Sequence, residues 1–245
     1  MKKIFPCIFL SLICIKSNFA YQVWAEFESG AVFQSMNDVE IPSGSATRFS
    51  LADFSKGPWP AVRFYLGLEF LEKHELRALA APLTVAAKGT PSGAISFQNQ
   101  TFSAGSALTG SYTFNSYRLT YRYKLINTEK WLFYLGFTGK IRDAEISLLQ
   151  GNLFANRTNT GFVPLLHLHL RYNISPVWAI ELDADALASP FGRAEDASLK
   201  AVYTFNPEWQ LLFGYRTVEG GSKGGGNVYN FAWLHFATVS IRHRF

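Results

Sequence analysis

The stretch Ser116–Leu125, with the sequence SYRLTYRYKL, alternates strictly between two kinds of side chain. One set of alternate positions is polar or positively charged: Ser116, Arg118, Thr120, Arg122 and Lys124. The other set is aromatic or aliphatic: Tyr117, Leu119, Tyr121, Tyr123 and Leu125. Because successive side chains of a β-strand point to opposite faces, the stretch predicts a strand with one charged and one apolar face. Charges at alternate positions are costly in the core of a soluble protein, whereas in a membrane barrel such a face lines the lumen.

The same two-residue period recurs along the chain. In 162–173 and 178–186, charged residues and histidines alternate with apolar side chains. We count ten such segments, which are 21–35, 59–71, 74–86, 110–126, 130–147, 161–173, 176–187, 196–205, 208–218 and 228–245. They predict an all-β fold, an antiparallel transmembrane β-barrel of about ten strands. Thr47–Phe54 and Ile95–Phe102 could add hairpin arms or strands, so eight or twelve strands also fit the pattern.

The connections between these segments alternate in length. The short ones are 72–73, 127–129, 174–175 and 206–207. The long ones are 36–58, 87–109, 148–160, 188–195 and 219–227. With the first strand starting in the periplasm, every short connection is periplasmic and every long one extracellular, as in bacterial barrels. The loops 36–58 and 87–109 are therefore candidates for adhesion or partner binding at the cell surface.

The first 20 residues have the three parts of a secretory signal peptide. Lys2 and Lys3 precede an apolar run over 4–15, and the small residue Ala20 stands before a cleavage point at Tyr21. The run is shorter than the about 20 residues that a helix needs to cross a bilayer. The sequence predicts a signal peptide over 1–20 and one barrel domain over 21–245, with no transmembrane helix.

Cysteine content and charge exclude other classes of protein. Cys7 and Cys14 both lie in the predicted signal peptide, so the mature chain has no disulfide. Of the 23 basic residues three lie in the signal peptide, so 20 face 18 acidic ones and the net charge falls from +5 to +2. This near-neutral balance gives no electrostatic basis for binding nucleic acid. We also expect no cofactor and no metal.

The last segment ends on an aromatic residue. Its alternate positions from Tyr229 onward are mostly apolar, including Ile241 and Phe245, although His243 stands where a large apolar residue is usual. This run resembles the C-terminal signal that the barrel-assembly machinery reads in outer-membrane proteins. In this run and in the segments FNSYRLTYRY at 114–123 and VYNFAW at 228–233, the chain resembles a family of small, uncharacterised bacterial outer-membrane barrels. The resemblance implies an outer-membrane location, with membrane lipid, lipopolysaccharide and the assembly machinery as partners, and it implies no activity.

Inward-pointing polar faces would form a belt of charges in the lumen. Its basic members are Arg63, Arg77, Arg118, Arg122, Lys124, Lys140, Arg142, Arg171, Lys200 and Arg216. Its acidic members are Glu26, Glu28, Glu69, Glu181, Asp183 and Asp185. Unpaired buried charges cost several kcal/mol, so these groups must pair or be hydrated. The side chains of an eight-stranded barrel just fill its interior, and a barrel of about ten strands is only slightly wider. We therefore expect the belt to brace the barrel and to narrow its lumen. The role expected is structural or that of a narrow channel.

The clearest candidates for catalysis are His167, His169, Asp183 and Asp185. The short turn at 174–175 makes their strands antiparallel neighbours, so we expect His167 near Asp183 or Glu181. A carboxylate that orients a histidine is the core of general-base catalysis, and His-x-His on one strand face could hold a metal. Omptin proteases also combine ten strands with aspartates and a histidine, but no omptin motif matches here residue by residue. A membrane-embedded hydrolase, omptin-like or lipid-modifying, is therefore the alternative to a structural or channel role.

Overall fold

The computed structural model describes residues 21–190 and 192–245, so the signal peptide expected over 1–20 lies outside the described residues. Strands dominate these ranges, with short 3-10 turns at Leu51–Asp53 and Gly225–Asn227. No helix within them is long and apolar enough to span a bilayer.

Fourteen strands follow one another within the described ranges. They are β1 (Tyr21–Glu40), β2 (Phe49–Ser50), β3 (Trp59–Phe70), β4 (His74–Ala81), β5 (Thr84–Gly89), β6 (Ile95–Phe97), β7 (Gln100–Phe102), β8 (Leu108–Asn127), β9 (Trp131–Gln150), β10 (Leu153–Asn173), β11 (Trp178–Ser189), β12 (Gly192–Thr204), β13 (Trp209–Lys223) and β14 (Tyr229–Arg244).

Ten strand positions close into an antiparallel barrel. Each wall strand pairs with the next along the chain, and β14 pairs back onto β1 from Trp24–Arg244 to Glu40–Tyr229. β4 and β5 occupy one position, because both pair with β8 on either side of a break at 82–83. The prediction of about ten strands is confirmed. The stretches Thr47–Phe54 and Ile95–Phe102 stay outside the wall: β2 pairs with the end of β1, and β6 forms a separate hairpin with β7.

The two ends of the barrel differ, although less than the sequence predicts. At the periplasmic end only 71–73, 128–130, 174–177 and 205–208 separate the strands, so the short connections are confirmed. At the other end, the prediction of loops over 148–160 and 188–195 is wrong. β9 and β10 continue to a tight turn at Gly151, which has φ +59°, and β11 and β12 continue until Ser189 pairs with Gly192. In the loop expected over 219–227, β13 runs on to Lys223. These extensions lie beyond the bilayer, where the regular alternation of apolar and polar side chains disappears while the ladder continues.

The outer face of the wall is apolar. On β10 the outward side chains run from Phe162, which is 67% exposed, through three leucines to Tyr172. Ten residue steps of about 3.4 Å, tilted by about 45°, span about 24 Å, close to the about 25 Å apolar band of outer-membrane barrels. At the periplasmic end, ring pairs such as Trp131–Tyr172 and Trp178–Tyr203 form an aromatic girdle.

The extracellular end of the lumen is partly filled by apolar side chains from the two longest loops. Phe97 and Phe102 of the β6–β7 hairpin are fully buried, and Ile41 and Leu51 join them. They pack against wall residues such as Leu148. The loops therefore fold inward over the barrel and direct these apolar groups away from the cell surface.

Candidate functional site

The middle of the lumen is filled by a set of charged side chains and histidines, here called the lumen plug. Its members are Glu26, Glu28, Arg63, Glu75, Arg77, Arg118, Arg122, His167, His169, Glu181, Asp183, Asp185, Asp196, Lys200, Arg216 and Arg242. They come from every wall position except β9, whose Thr138 hydroxyl donates to Asp185 at 2.7 Å. The two-residue period places them here, because the inward face of each strand carries the polar set.

Asp196 is the hub of the extracellular side of the plug. Its carboxylate accepts hydrogen bonds from Arg63 at 2.8 Å, Arg118 at 2.6 Å and Arg216 at 2.5 Å. All four side chains are buried, and they belong to β12, β3, β8 and β13. One carboxylate therefore ties together strands on opposite sides of the barrel.

Two glutamates of β1 form a second hub on the inner wall. The Lys200 ammonium donates to Glu26 at 2.8 Å and to Glu28 at 2.5 Å, and the Arg216 guanidinium donates to both oxygens of Glu28. The Arg242 guanidinium then donates to Glu26 at 2.9 Å and to the Glu181 carboxylate at 2.9 Å. These bonds continue the network across the lumen toward β11.

The histidine–aspartate group lies inside the plug. His167 Nδ1 is 2.9 Å from Asp185 and His169 Nδ1 is 3.2 Å from Asp183, because the ladder between β10 and β11 pairs each histidine directly with that aspartate. The direct partner of His167 is thus Asp185, with Asp183 next at 3.9 Å, while Glu181 pairs with another position of β10. His167 is only 1% exposed.

Both aspartates also bind arginines. Asp185 accepts from Arg118 at 2.8 Å, and Asp183 accepts from Arg77 at 2.6 Å. A carboxylate held by guanidinium groups is neutralised by them, which makes it a weak partner for raising the basicity of a histidine. Within the described residues, no group of three or more histidine, cysteine or acidic side chains has metal-binding geometry. Chemically, the arrangement is suited to cross-bracing.

Formal charge is balanced within the plug. Its members include seven carboxylates and seven arginine or lysine side chains. At the periplasmic mouth Arg171 adds a contact of 2.9 Å to Glu181, and Lys124 pairs with Glu69 at 3.2 Å. Charges removed from water are stabilised when they are paired, and each charged member of the plug has an oppositely charged partner within it.

Little open space remains inside this network. The cavity bordered by Trp24, Tyr65 and His169 has a volume of about 20 Å³, which is room for about one water molecule. The side chains of the charged layer therefore leave room for little more than one water molecule at this cavity.

Three plug members escape the sequence prediction: Glu75, Asp196 and Arg242. Each lies two positions from another inward-facing polar residue, namely Arg77, Ser198 and Ser240. Extending the two-residue alternation of each strand by one more inward-facing position would have identified them.

Lys140 and Arg142, which the sequence places in the belt, lie above the plug instead. They line a cavity of about 580 Å³ in the extracellular half of the barrel. Its other walls are largely apolar, with Tyr112, Ile146 and Leu234 among the lining residues. This extracellular cavity is closed below by the plug.

An acidic residue at the extracellular rim anchors the first loop. The Glu40 carboxylate accepts from the Gly44 N–H at 2.5 Å and from Arg48 Nε at 2.8 Å. These two hydrogen bonds, the backbone one first, hold the pKa of Glu40 below its ordinary value. The Arg48 guanidinium also lies 3.9 Å from the centre of the Tyr229 ring, which ties the loop to β14.

Comparison with known proteins finds similar solved structures at low sequence identity. No family model matches the sequence, and no curated protein sequence matches it. The chain is similar to the solved structure of Ail, the attachment invasion locus protein of Yersinia pestis, at 11% identity and a TM-score of 0.44, covering 91% of this chain and 99% of that one. It is similar to the transport unit of the autotransporter AIDA-I from Escherichia coli at 8% identity and a TM-score of 0.46, covering 97% and 94%. It is also similar to the translocator domain of the autotransporter NalP from Neisseria meningitidis at 13% identity and a TM-score of 0.44, covering 92% and 88%.

The architecture of the chain itself is decisive for its class. Within the described residues β14 pairs back onto β1, the outer band of the wall is apolar, and the lumen is charged. Closure satisfies the backbone hydrogen bonds that lipid cannot, and this combination is the build of bacterial outer-membrane proteins. The protein is an outer-membrane β-barrel.

Proposed function

We propose that this protein is a structural, non-conducting barrel of the outer membrane, closed at mid-height by the lumen plug. The observation that carries the proposal is the hub at Asp196, where three arginines from three other strands meet one buried carboxylate. The same bonds that brace the wall fill its centre.

The energetics favour a permanent plug over a gate. Opening a path would separate several buried ion pairs, and removing one partner of such a pair typically costs about 3–5 kcal/mol. The plug members are attached to wall strands, not to a mobile loop, so no single segment can swing aside. A ten-stranded wall also leaves little width beyond its own side chains.

The membrane-embedded hydrolase has weaker support. His167 and His169 lie within the plug and do not line the extracellular cavity, so a substrate there would not reach them. Their aspartate partners are held by Arg77 and Arg118. The pairing favours a bracing role for both histidines.

Conductance in planar lipid bilayers tests the proposal. We expect the purified wild-type protein to insert without producing conductance steps. The double variant Asp196→Ser/Arg216→Ser removes one charge of each sign from the hub and should produce steps. Leu199→Ser/Tyr215→Ser changes outward side chains on the same two strands and is the matched control, expected to be silent. Conductance steps from the wild-type protein would overturn the proposal.

We also propose partners for the outer face of the barrel and for the end of β14. Outer-membrane lipid and lipopolysaccharide would contact the apolar band, and the barrel-assembly machinery would read the end of β14. There Ile241 and Phe245 point outward, 45% and 73% exposed. This exposure supports recognition of these side chains before the barrel closes.

A further inference from the structure

The extracellular cavity carries positive charge that the protein does not neutralise. Lys140, Arg142 and Arg157 all line it, and none of the ion pairs of the described residues includes any of them. Plug cations, by contrast, each have a carboxylate partner. Arg193, Glu145 and Glu219 also line the cavity, so four cations face two carboxylates and the lining has an excess of two formal positive charges beside apolar walls.

Arg142 and Arg157 each have a buried nitrogen atom without a hydrogen-bond partner, and the third group, Lys140, is itself buried. Lys140 is only 4% exposed, and its ammonium contacts the Phe114 ring at 4.5 Å from the centroid. The Nε atom of Arg142 is buried with no hydrogen-bond partner, although its Nη2 reaches Asn159. The Nε atom of Arg157 is buried and unpartnered as well. Charges removed from water are normally paired, and these cations have no carboxylate partner among the described residues, so they point to an anionic ligand.

The wall beside the cations is open. The ladder between β10 and β11 ends at Leu166–Ala186. Beyond it, 163–165 pair with β9, and Leu187 and Ala188 pair with β12, but among the described residues these two sets do not pair with each other. Pro164, which lacks a backbone N–H, is one of these positions. We call the gap between 163–165 and 187–188 the notch. In the ladder between β9 and β10, Val163 at the notch is the direct partner of Lys140.

The cavity reaches the lipid-facing side through the notch. Its lining includes inward-facing Val163 and Leu187 from the two lips, together with outward-facing Phe162 and Pro164. Phe162 stands at the extracellular limit of the apolar band. The surroundings of the notch are therefore the outer leaflet, and a molecule entering there would come from lipid.

We propose that the extracellular cavity binds a single-chain anionic amphiphile of the fatty-acid class, which enters from the outer leaflet through the notch. The carboxylate pairs with Lys140 and Arg142, and the chain lies against apolar residues such as Val218 and Leu234. A volume of about 580 Å³ falls within the about 300–1,000 Å³ usual for small-molecule sites. The proposal uses the plug only as the floor of the cavity.

Equilibrium binding of radiolabelled palmitate to the purified barrel in detergent tests the site. We expect saturable binding at one site, with hexadecanol, which has the same chain and no charge, at least tenfold weaker. Lys140→Met/Arg142→Met should lower palmitate affinity at least tenfold and remove the preference over hexadecanol. The matched control Lys130→Met/Lys223→Met, which removes two exposed charges, should change affinity less than twofold.

Three results would overturn the site: no palmitate binding to the wild type, equal binding of palmitate and hexadecanol, or unchanged affinity in Lys140→Met/Arg142→Met. The variant removes unpaired cations, so its folding is not expected to suffer. The test is separate from the plug, because a conducting wild-type barrel would contradict the closed lumen without affecting palmitate binding.

The route is tested by filling the notch. Leu187→Trp places a larger side chain between its lips, and we expect uptake of palmitate from lipid vesicles to slow at least tenfold. Ala186→Trp, one residue away and facing the lipid, is the control and should leave the rate unchanged. Equal rates in Leu187→Trp and wild type would show that the ligand arrives from the extracellular end, and would overturn access through the notch.

Discussion

Asp196 shows how single residues hold this barrel together. Its three arginine partners come from strands that lie far apart in the chain, up to 133 residues for Arg63. Burying a carboxylate is unfavourable by itself, so the contribution of Asp196 depends on all three partners being in place. The residue acts as a cross-link between strands.

Replacing Asp196 should therefore be costly. We expect Asp196→Ala to lower the free energy of unfolding by about 3–5 kcal/mol, because three buried guanidinium groups lose a shared anion. Urea unfolding in detergent micelles, followed by intrinsic fluorescence, measures the change.

The control is Leu199→Ala on the same strand. Leu199 faces outward and is 55% exposed, and detergent chains can occupy the space that the truncation leaves. Leu199→Ala should lower the free energy of unfolding by less than Asp196→Ala does. The opposite order would show that β12 has its faces reversed, since a one-residue slip exchanges them.

At the scale of elements, β14 has to both close the wall and end the chain. The Phe245 N–H donates to the Val23 carbonyl at 2.9 Å, and its own carbonyl accepts from Gln22 at 2.6 Å. The side chain contributes little to packing, because it is 73% exposed. Its backbone and its side chain thus have separate roles.

Deleting Phe245 removes its side chain together with these two terminal hydrogen bonds. We expect a loss of at most about 2 kcal/mol in folded-state stability, since the side chain is exposed and the hydrogen bonds lie at the end of the strand. Outer-membrane levels in cells should fall much further, because the assembly machinery loses the terminal aromatic residue. Quantitative blotting of outer-membrane fractions and urea unfolding of refolded protein give the two numbers. Normal membrane levels would contradict a recognition role.

The first extracellular loop is a second element with its own anchor, Glu40. Because the folded-state pKa of Glu40 lies below its ordinary value, the anchor is fully present above that ordinary value and is lost as pH falls through the lowered one. Glu40→Gln should mimic the protonated state. We expect faster amide exchange at Gly44 in the variant at pH 7 and convergence with wild type in acid. Equal exchange rates at pH 7 would exclude Glu40 as the anchor.

At the scale of the molecule, closure decides the environment. Wall strands β1 and β14 stand at opposite ends of the sequence and pair over nearly their whole length. A closed ladder leaves no backbone group unpaired toward lipid at this seam, which allows the outer face to be apolar. Lumen charge and lipid-facing aromatics then follow from the same alternation.

The cellular form should match this architecture. We predict that the mature protein starts near Tyr21, the first residue of β1, and fractionates with the outer membrane. N-terminal sequencing of protein from membrane fractions checks both points. Recovery in the soluble periplasmic fraction after osmotic shock would contradict the prediction.

The sequence by itself determined that the chain crosses the membrane with about ten strands and which face of each strand points inward. A period of two is a local property, and for Arg118 or His167 it needs no knowledge of the partner strand to give an inward direction. The same local rule failed at 148–160 and 188–195. Beyond the bilayer no strand face is required to be apolar. A strand can therefore continue there without the alternating pattern that would indicate it in the sequence.

Tertiary structure alone decided which inward charges meet. Asp196 and Arg63 share a face by parity, but only the closed ladder places them 2.8 Å apart. It also left Lys140 and Arg142 above the plug without carboxylates, next to a gap in the wall at Pro164. Pairing across a lumen depends on strand order and register around the whole barrel, which are non-local, and these determine both the closed centre and the cavity above it.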